Sequence, residues 1–198
     1  MSEAARVGAN NVLIVPGIDR PGERGSRTRF RNIVTGMKRA VMLGQEHGIT
    51  VCAEDLDHLE ASYCTSRGLK KLLDSVPGLM CCFDTGNFMI SGEDGLDVLP
   101  LFADRIRAVH LKDRALSPMT AESSVMTCSD GRLLYPAPVG AGMIPMRKII
   151  EFLSNTGYGG NVITELFSYD PIKTLDAIKE SVEWTSNTII SIMNGVIN

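Results

Sequence analysis

The sequence predicts an α/β protein, an incomplete barrel of about five parallel strands with helices on the outside. Five short apolar runs recur along the chain, and most are apolar without interruption, as in strands that are covered on both faces. The runs occupy 11–15, 49–53, 79–83, 106–111 and 161–164. Helix-like segments separate them, and alternating strands and helices are typical of right-handed parallel βα units.

The segments between the runs carry apolar residues near the 3.6-residue period of a helix. In 28–47 the apolar positions extend from Phe30 to Leu43, and Gly48 then provides a helix stop. Further helices are expected at 67–75, 95–103, 146–155 and 172–193. The segment 115–141 interrupts this alternation and is rich in Ser, Pro, Met and Gly. We expect a lid or binding loop there, because α/β folds place such loops after strands.

Composition and charge narrow the class of protein. The chain has 198 residues, 44% hydrophobic and 22% charged, which is typical of a single globular domain, here covering residues 1–198. A net charge of −3 gives no general attraction to nucleic acid or to an anionic membrane, so neither is expected as a partner. No apolar stretch approaches the roughly 18 residues of a membrane span, and the first residues do not resemble a signal peptide.

The five cysteines follow no CxxC spacing. We therefore expect free thiols and a cytoplasmic protein, with Cys52, Cys81 and Cys82 as small buried hydrophobes.

Polar residues follow four successive strands at the point where each strand ends. Glu54 comes after the second run, Asp84 after the third, and Glu165 after the fifth, while His110 lies near the end of the fourth. The carboxyl ends of parallel strands converge on one face of a barrel, and that face carries the chemistry. Three carboxylates and one imidazole suit Mn²⁺, Mg²⁺, Co²⁺ or Zn²⁺. Although any one of them alone is typical of a turn, the four together predict a site for one divalent metal ion.

Five motifs in the same order resemble the xylose isomerase-like TIM barrels, the sugar phosphate isomerase/epimerase superfamily. They are ITVCAED at 49–55, DTGN at 84–87, HLKD at 110–113, VGAGMI at 139–144 and GYGGNVITE at 157–165. Ketose 3-epimerases, hydroxypyruvate isomerase and inosose dehydratase belong to this superfamily. The resemblance implies that Glu54, Asp84, His110 and Glu165 hold the metal, with Mn²⁺ as the preferred ion.

The resemblance also implies a metal-dependent isomerase or epimerase of sugars or keto-polyols. Such an enzyme removes a proton next to a carbonyl through an enediolate-like intermediate, with Glu54 and Glu165 as acid and base. Asn87, Lys112 and Asp113 are the expected substrate contacts. Lys112 could equally be a structural residue that pairs with Asp113 or Asp84 at the rim of the barrel. Several relatives have His where this chain has Asn87, and an amide cannot act as an acid or base near neutral pH. We therefore expect one metal ion at most.

Three other functions stay open. An inosose dehydratase-type lyase would begin with the same proton abstraction. A non-catalytic barrel could instead serve as an oligomerisation or binding module. An endonuclease on the same barrel would need more histidines and a basic face. Three His and a net charge of −3 therefore do not favour this function.

The chain is short for a closed barrel, which takes about 250 residues. Residues 1–8 resemble the tail of a helix, so we expect the first three βα units to be absent. Five strands cannot close a barrel and leave two open edges. Open edges and exposed apolar surface favour association, so a homo-oligomer is expected.

Overall fold

The main sheet has five strands that all run parallel. The computed structural model describes residues 1–18, 25–120, 123–166 and 171–195, with the side chains of residues 171 and 172 left aside. The strands are β1 (Asn11–Leu13), β2 (Thr50–Ala53), β3 (Met80–Asp84), β4 (Ile106–Leu111) and β8 (Asn161–Thr164). They pair in the order β1-β2-β3-β4-β8, which follows the chain. This confirms the predicted incomplete parallel barrel.

Helices connect the strands. They are α1 (Ser2–Arg6), α2 (Arg27–Glu46), α3 (Ser66–Ser75), α4 (Gly95–Val98), α5 (Met146–Asn155) and α6 (Pro171–Met193). The hydroxyl of Ser26 caps α2 by accepting from the backbone N–H of Arg29, and the hydroxyl of Thr65 caps α3 by accepting from the backbone N–H of Gly68. The helix expected at 95–103 is shorter, since α4 passes into a 3₁₀ turn at Leu99–Leu101 that contains Pro100. In the described part of the chain, no helix is both long and apolar enough to cross a membrane.

The core lies between the sheet and its helices. The rings of Phe88 and Phe102 stack at 5.9 Å, and Phe83 from β3 packs against both of them. All three are fully buried, as are Leu69 and Leu72 of α3. Each such side chain contributes about 1.5–3 kcal/mol of transfer free energy. This packing holds β3 in place, and β3 ends at Asp84, one of the predicted metal ligands.

A second, smaller apolar cluster lies apart from this core. Cys52, Cys82 and Ala108 are buried there, with Leu13 and Met80 packed beside them. The cysteines form no disulfide among the described residues, as predicted, and burial of Cys52, Cys81 and Cys82 is confirmed. Cys64 and Cys128 are buried as well. At the end of the sheet, Val162 and Ile163 of β8 are exposed. The outer edges of β1 and β8 pair with no further strand among the described residues.

The insertion after β4, where the sequence predicts a lid or binding loop, contains regular structure. Three short strands, β5 (Asp113–Ala115), β6 (Met126–Thr127) and β7 (Leu133–Ala137), form a small antiparallel sheet in the order β5-β7-β6. A tight turn joins β6 to β7, where Cys128 N donates to Arg132 O at 2.9 Å. Leu134 is fully buried, so one face of this sheet adds to the core.

Candidate active site

The parallel register brings together the four side chains predicted as metal ligands. Asp84 at the end of β3 pairs directly with His110 of β4. Glu54 follows β2, and Glu165 follows β8, where its backbone N–H extends the ladder by donating to Leu111 O at 2.9 Å. One ligand atom from each of these four residues lies within 4.8 Å of those of the other three.

Two basic side chains contact the carboxylates of this cluster. His110 Nδ1 lies 3.0 Å from Glu54 Oε2 and 2.9 Å from Glu165 Oε2. Lys112 Nζ lies 2.6 Å from Glu165 Oε1 and 3.1 Å from Asp84 Oδ2. The residues therefore form one connected ionic network rather than separate turn or capping groups.

These contacts shift the protonation of the network. Burial alone would raise the pKa of Glu165, but His110 and Lys112 lower it to about 2. Burial alone would lower the pKa of His110, but its contacts with Cys82, Glu165 and Glu54 raise it to about 12. Burial raises the pKa of Asp84 to about 6, although the charge of Lys112 opposes this rise. Nearby basic side chains thus outweigh burial at Glu165, whereas burial outweighs Lys112 at Asp84.

The polar atoms at the centre of the cluster fit a metal ion. Within the described part of the chain, Glu54 Oε2, Asp84 Oδ2 and His110 Nδ1 are buried and have no hydrogen-bond partner of suitable angle. A buried polar atom without a partner costs about 1–3 kcal/mol, and more where it is charged. A divalent cation would satisfy all three atoms at once, and the donor set of oxygen and imidazole nitrogen suits such an ion.

The DTGN motif is both a turn and part of the site. Asp84 Oδ1 accepts from the backbone N–H groups of Gly86 and Asn87, at 2.8 Å each, which leaves Oδ2 facing the cluster. A Cβ at Gly86 would lie 2.7 Å from the carbonyl oxygen of Lys112, so only glycine fits there. Asn87 Oδ1 accepts from Lys112 Nζ at 2.9 Å, and its Nδ2 donates to Asp55 O at 3.0 Å. The predicted substrate contacts Asn87 and Lys112 therefore both border the candidate metal ligands.

Asp113 lies in a different environment from its neighbour Lys112. Its carboxylate accepts from the backbone N–H groups of Arg114, Gly140, Gly142 and Ile144, at 2.8–3.1 Å. Gly140 has a φ of +88°, and a Cβ there would collide with the indole ring of Trp184 on α6. Asp113 thus joins the VGAGMI turn to β5, while the substrate contact predicted for it stays a prediction.

Two residues of the site were missed by sequence reasoning. Arg114 is fully buried, and its Nη2 lies 3.0 Å from Asp57 Oδ2, which is also 3.9 Å from Lys112 Nζ. No spacing signal distinguishes this arginine from a surface residue. Cys82, interpreted only as a buried hydrophobe, groups with Glu54 and His110 in a cluster of potential ligand atoms. Its position two residues before Asp84 on the same strand was the available signal.

A parallel α/β half-barrel with a carboxylate and histidine cluster at its strand ends defines the class of protein. Comparison with protein-family models then identifies the family. The chain belongs to the xylose isomerase-like TIM barrel family, whose model matches residues 1–188.

The curated relatives include inosose dehydratases. The chain is 27% identical over 151 residues to the inosose dehydratase of Lacticaseibacillus casei, a match covering 73% of this chain and 49% of that protein. It is 29% identical over 140 residues to the inosose dehydratase of Bacillus cereus strain AH820, covering 67% and 45%. The chain thus spans about half the length of the curated relatives it matches.

Solved structures share the fold at low sequence identity. A xylose isomerase domain protein from Planctomyces limnophilus matches with a TM-score of 0.77 and 19% identity over 98% of this chain and 64% of that one. An IolI protein with a bound zinc atom matches with a TM-score of 0.73 and 16% identity, covering 95% and 66%. A D-allulose 3-epimerase from a Methylomonas species in complex with D-allulose has a TM-score of 0.69 and 18% identity, covering 94% and 65%.

Replacement of Asp113 with alanine tests its contribution to the fold. The variant leaves the backbone N–H groups of Gly140, Gly142 and Ile144 without their acceptor. We expect the free energy of unfolding to fall by about 3 kcal/mol, because a lost buried acceptor of this kind costs about 1–3 kcal/mol and several donors are affected here. Chemical denaturation followed by circular dichroism measures this change.

The matched control for this experiment is Asp130→Ala. Asp130 also accepts from backbone and side chain, both of Arg132, but it lies exposed at a turn. Its removal should change stability little. An Asp113→Ala protein as stable as the control would contradict the anchoring role.

Proposed function

We propose that this chain carries the site of a metal-dependent isomerase or epimerase acting on a sugar or keto-polyol. One observation carries the proposal: Glu54 and Glu165 meet at the same imidazole nitrogen, 3.0 and 2.9 Å from His110 Nδ1. They come from β2 and β8, which flank the two strands that carry Asp84 and His110. Two carboxylates converging on one point can remove a proton and return it elsewhere on the substrate.

In this proposal Glu54, Asp84, His110 and Glu165 hold one divalent cation, with Mn²⁺ preferred. Support comes from the three buried ligand atoms without a hydrogen-bond partner among the described residues. It also comes from a structural neighbour, the IolI protein, which was solved with a zinc atom. When bound, the cation would supply Lewis-acid polarisation of the substrate's oxygens.

The chain's own residues then divide the remaining work. Glu54 and Glu165 act as base and acid at the carbon next to the carbonyl, a role typically worth about 10²–10⁴ in rate. Removal of that proton leaves an enediolate-like anion. The Lys112 ammonium is buried beside Glu165 and Asn87, so it can stabilise the developing negative charge. Asn87 offers an amide that hydrogen-bonds substrate hydroxyls.

An inosose dehydratase-type lyase is the second candidate. The observation that favours it is the similarity to inosose dehydratases, at 27–29% identity over about 70% of this chain. The same proton abstraction would start the reaction, and loss of a hydroxyl from the neighbouring carbon as water would follow. Lys112 could then protonate the departing oxygen.

We also propose that the chain is a homo-oligomer. Ile163 on β8 is 43% exposed, and the outer edges of β1 and β8 carry no further strand among the described residues. Unpaired edges and apolar patches favour contact with another chain. At about 25 cal/mol per Å², covering 800 Å² of apolar surface would contribute on the order of 20 kcal/mol before association costs.

Light scattering coupled to gel filtration tests the assembly at micromolar concentration. We expect a mass of at least two chains, and a shift toward one chain in Ile163→Lys, because the charge would be buried at the interface. The control is Met42→Lys, which places the same charge at an exposed position on α2 and should keep the wild-type mass. A well-folded wild-type monomer that does not aggregate would refute the assembly proposal.

Metal analysis tests the ligand set. After native purification, the wild-type protein should contain about one divalent ion per chain, and Glu54→Gln/Glu165→Gln should contain almost none. Each substitution removes a charged ligand while keeping the size of the side chain. Glu3→Gln/Glu46→Gln, which alters two exposed glutamates, is the control and should retain the ion. Equal metal content in the two double variants would reject the assignment.

Reaction in deuterated water separates the two candidate activities. With ketohexoses, an isomerase or epimerase should return products of unchanged formula that carry deuterium at a carbon next to the carbonyl. With an inosose, a dehydratase should give a product lighter by one water. Glu165→Gln should lower either rate by about 10²–10⁴, while Glu151→Gln on α5 should not. Turnover that is unaffected by Glu165→Gln would contradict the acid–base role.

A further inference from the structure

Cys82 is a buried thiol placed against the proposed histidine ligand. It lies on β3 two residues before Asp84 and pairs with Ala108, which is two residues before His110 on β4. Since side chains alternate along strands, Cys82 and Asp84 share a face of the sheet, as do Ala108 and His110. The sulfur and one ligand atom each from Glu54 and His110 all lie within 4.8 Å of one another.

Cys82 is buried beside the imidazole, within the group of potential ligand atoms that contains Glu54 and His110. Only 1% of Cys82 is exposed, so no solvent competes for the sulfur. The thiol can donate or accept a hydrogen bond, although it does both weakly.

A histidine that binds a metal through one ring nitrogen usually has its other ring nitrogen hydrogen-bonded to a neighbouring group. That neighbour fixes the tautomer and the ring orientation, and it is most often a carboxylate, a backbone carbonyl or water. Here His110 Nδ1 already points into the carboxylate cluster, 2.9 and 3.0 Å from Glu165 and Glu54. The site-facing neighbour on β3 that precedes Asp84 is a thiol.

We propose that Cys82 is a positioning residue, whose thiol holds the His110 imidazole by a hydrogen bond so that Nδ1 faces Glu54, Asp84 and Glu165. This proposal rests on the proposed function only in the experiment that measures metal binding. The orientation of the ring itself can be measured without metal.

Cys52 provides a matched control within the same apolar cluster. It is buried to the same extent as Cys82 and lies on the neighbouring strand β2. Substitution of either cysteine removes a buried thiol from the apolar cluster. Only the Cys82 sulfur, however, belongs to the group of potential ligand atoms that contains His110.

The first experiment records imidazole nitrogen signals by NMR in the metal-free protein. The chain has three histidines, His47, His58 and His110, so three sets of signals are expected, and His110→Gln assigns the third. In Cys82→Val the His110 signals should shift while those of His47 and His58 stay in place. In Cys82→Ser, which keeps a hydrogen-bonding group, they should stay closer to the wild-type positions. In Cys52→Val they should not move.

The second experiment measures Mn²⁺ affinity by titration calorimetry in the same variants. Cys82→Val should bind about tenfold more weakly, within the 10–100-fold loss typical when a group that orients a ligand is removed. Cys82→Ser should recover most of this loss, and Cys52→Val should bind like the wild type. If Cys82→Val does not fold, Cys82→Ala serves instead, because it removes the sulfur without adding bulk.

The outcomes separate the two proposals. Unchanged His110 signals in Cys82→Val or Cys82→Ala would overturn the positioning role, whether or not metal binds. Shifted signals with weakened Mn²⁺ binding and rescue by serine would support it. If the wild-type protein binds no Mn²⁺, the proposed metal site fails, while the NMR shifts still decide the role of Cys82.

Discussion

The structure depends on how buried carboxylates at the strand ends are balanced by positive charge. Asp84 is fully buried, and so is Asp55, whose carboxylate oxygens have no hydrogen-bond partner within the described part of the chain. Burial and the charges of Asp84 and Glu54 raise the pKa of Asp55 well above its ordinary value. A buried charge without a partner is costly. For Asp84, the parallel register of β3 and β4 meets this constraint, because it places His110 opposite Asp84 and Lys112 within reach of both Asp84 and Glu165.

The segment from His110 to Arg114 links the site to the rest of the fold. Its chain is extended, so successive side chains point to opposite sides. His110, Lys112 and Arg114 all reach polar partners at the strand ends, the last of them through Asp57. Leu111 and Asp113 lie on the other side, one in the core and the other holding the VGAGMI turn. One short segment thus supplies a candidate ligand, a buried ammonium and the anchor of a loop.

The sequence predicted those features that depend on a local pattern, either the spacing of apolar residues or a short motif. The five apolar runs became the five strands, and the residues at their ends converged because parallel strands leave no other arrangement. The antiparallel sheet of the insertion was not foreseen, since its strands are two to five residues long and include Pro136. Cys82 and Arg114 were missed for another reason. The role of a buried thiol or guanidinium depends on which residues from other parts of the chain contact it, and no local sequence pattern reveals those contacts.

Glu165 is the most exposed of the four candidate ligands. The side chains of Glu54 and His110 are 11% and 14% exposed, whereas that of Glu165 is 34% exposed. Next to Glu165, Leu166 helps to line a cavity of about 280 Å³ between the insertion and α6. Met119, Pro136 and Lys173 form other parts of its wall. Of the two glutamates, Glu165 on the outer strand is the more open to solvent. A substrate approaching from solvent would meet Glu165 before the less exposed Glu54 and Lys112.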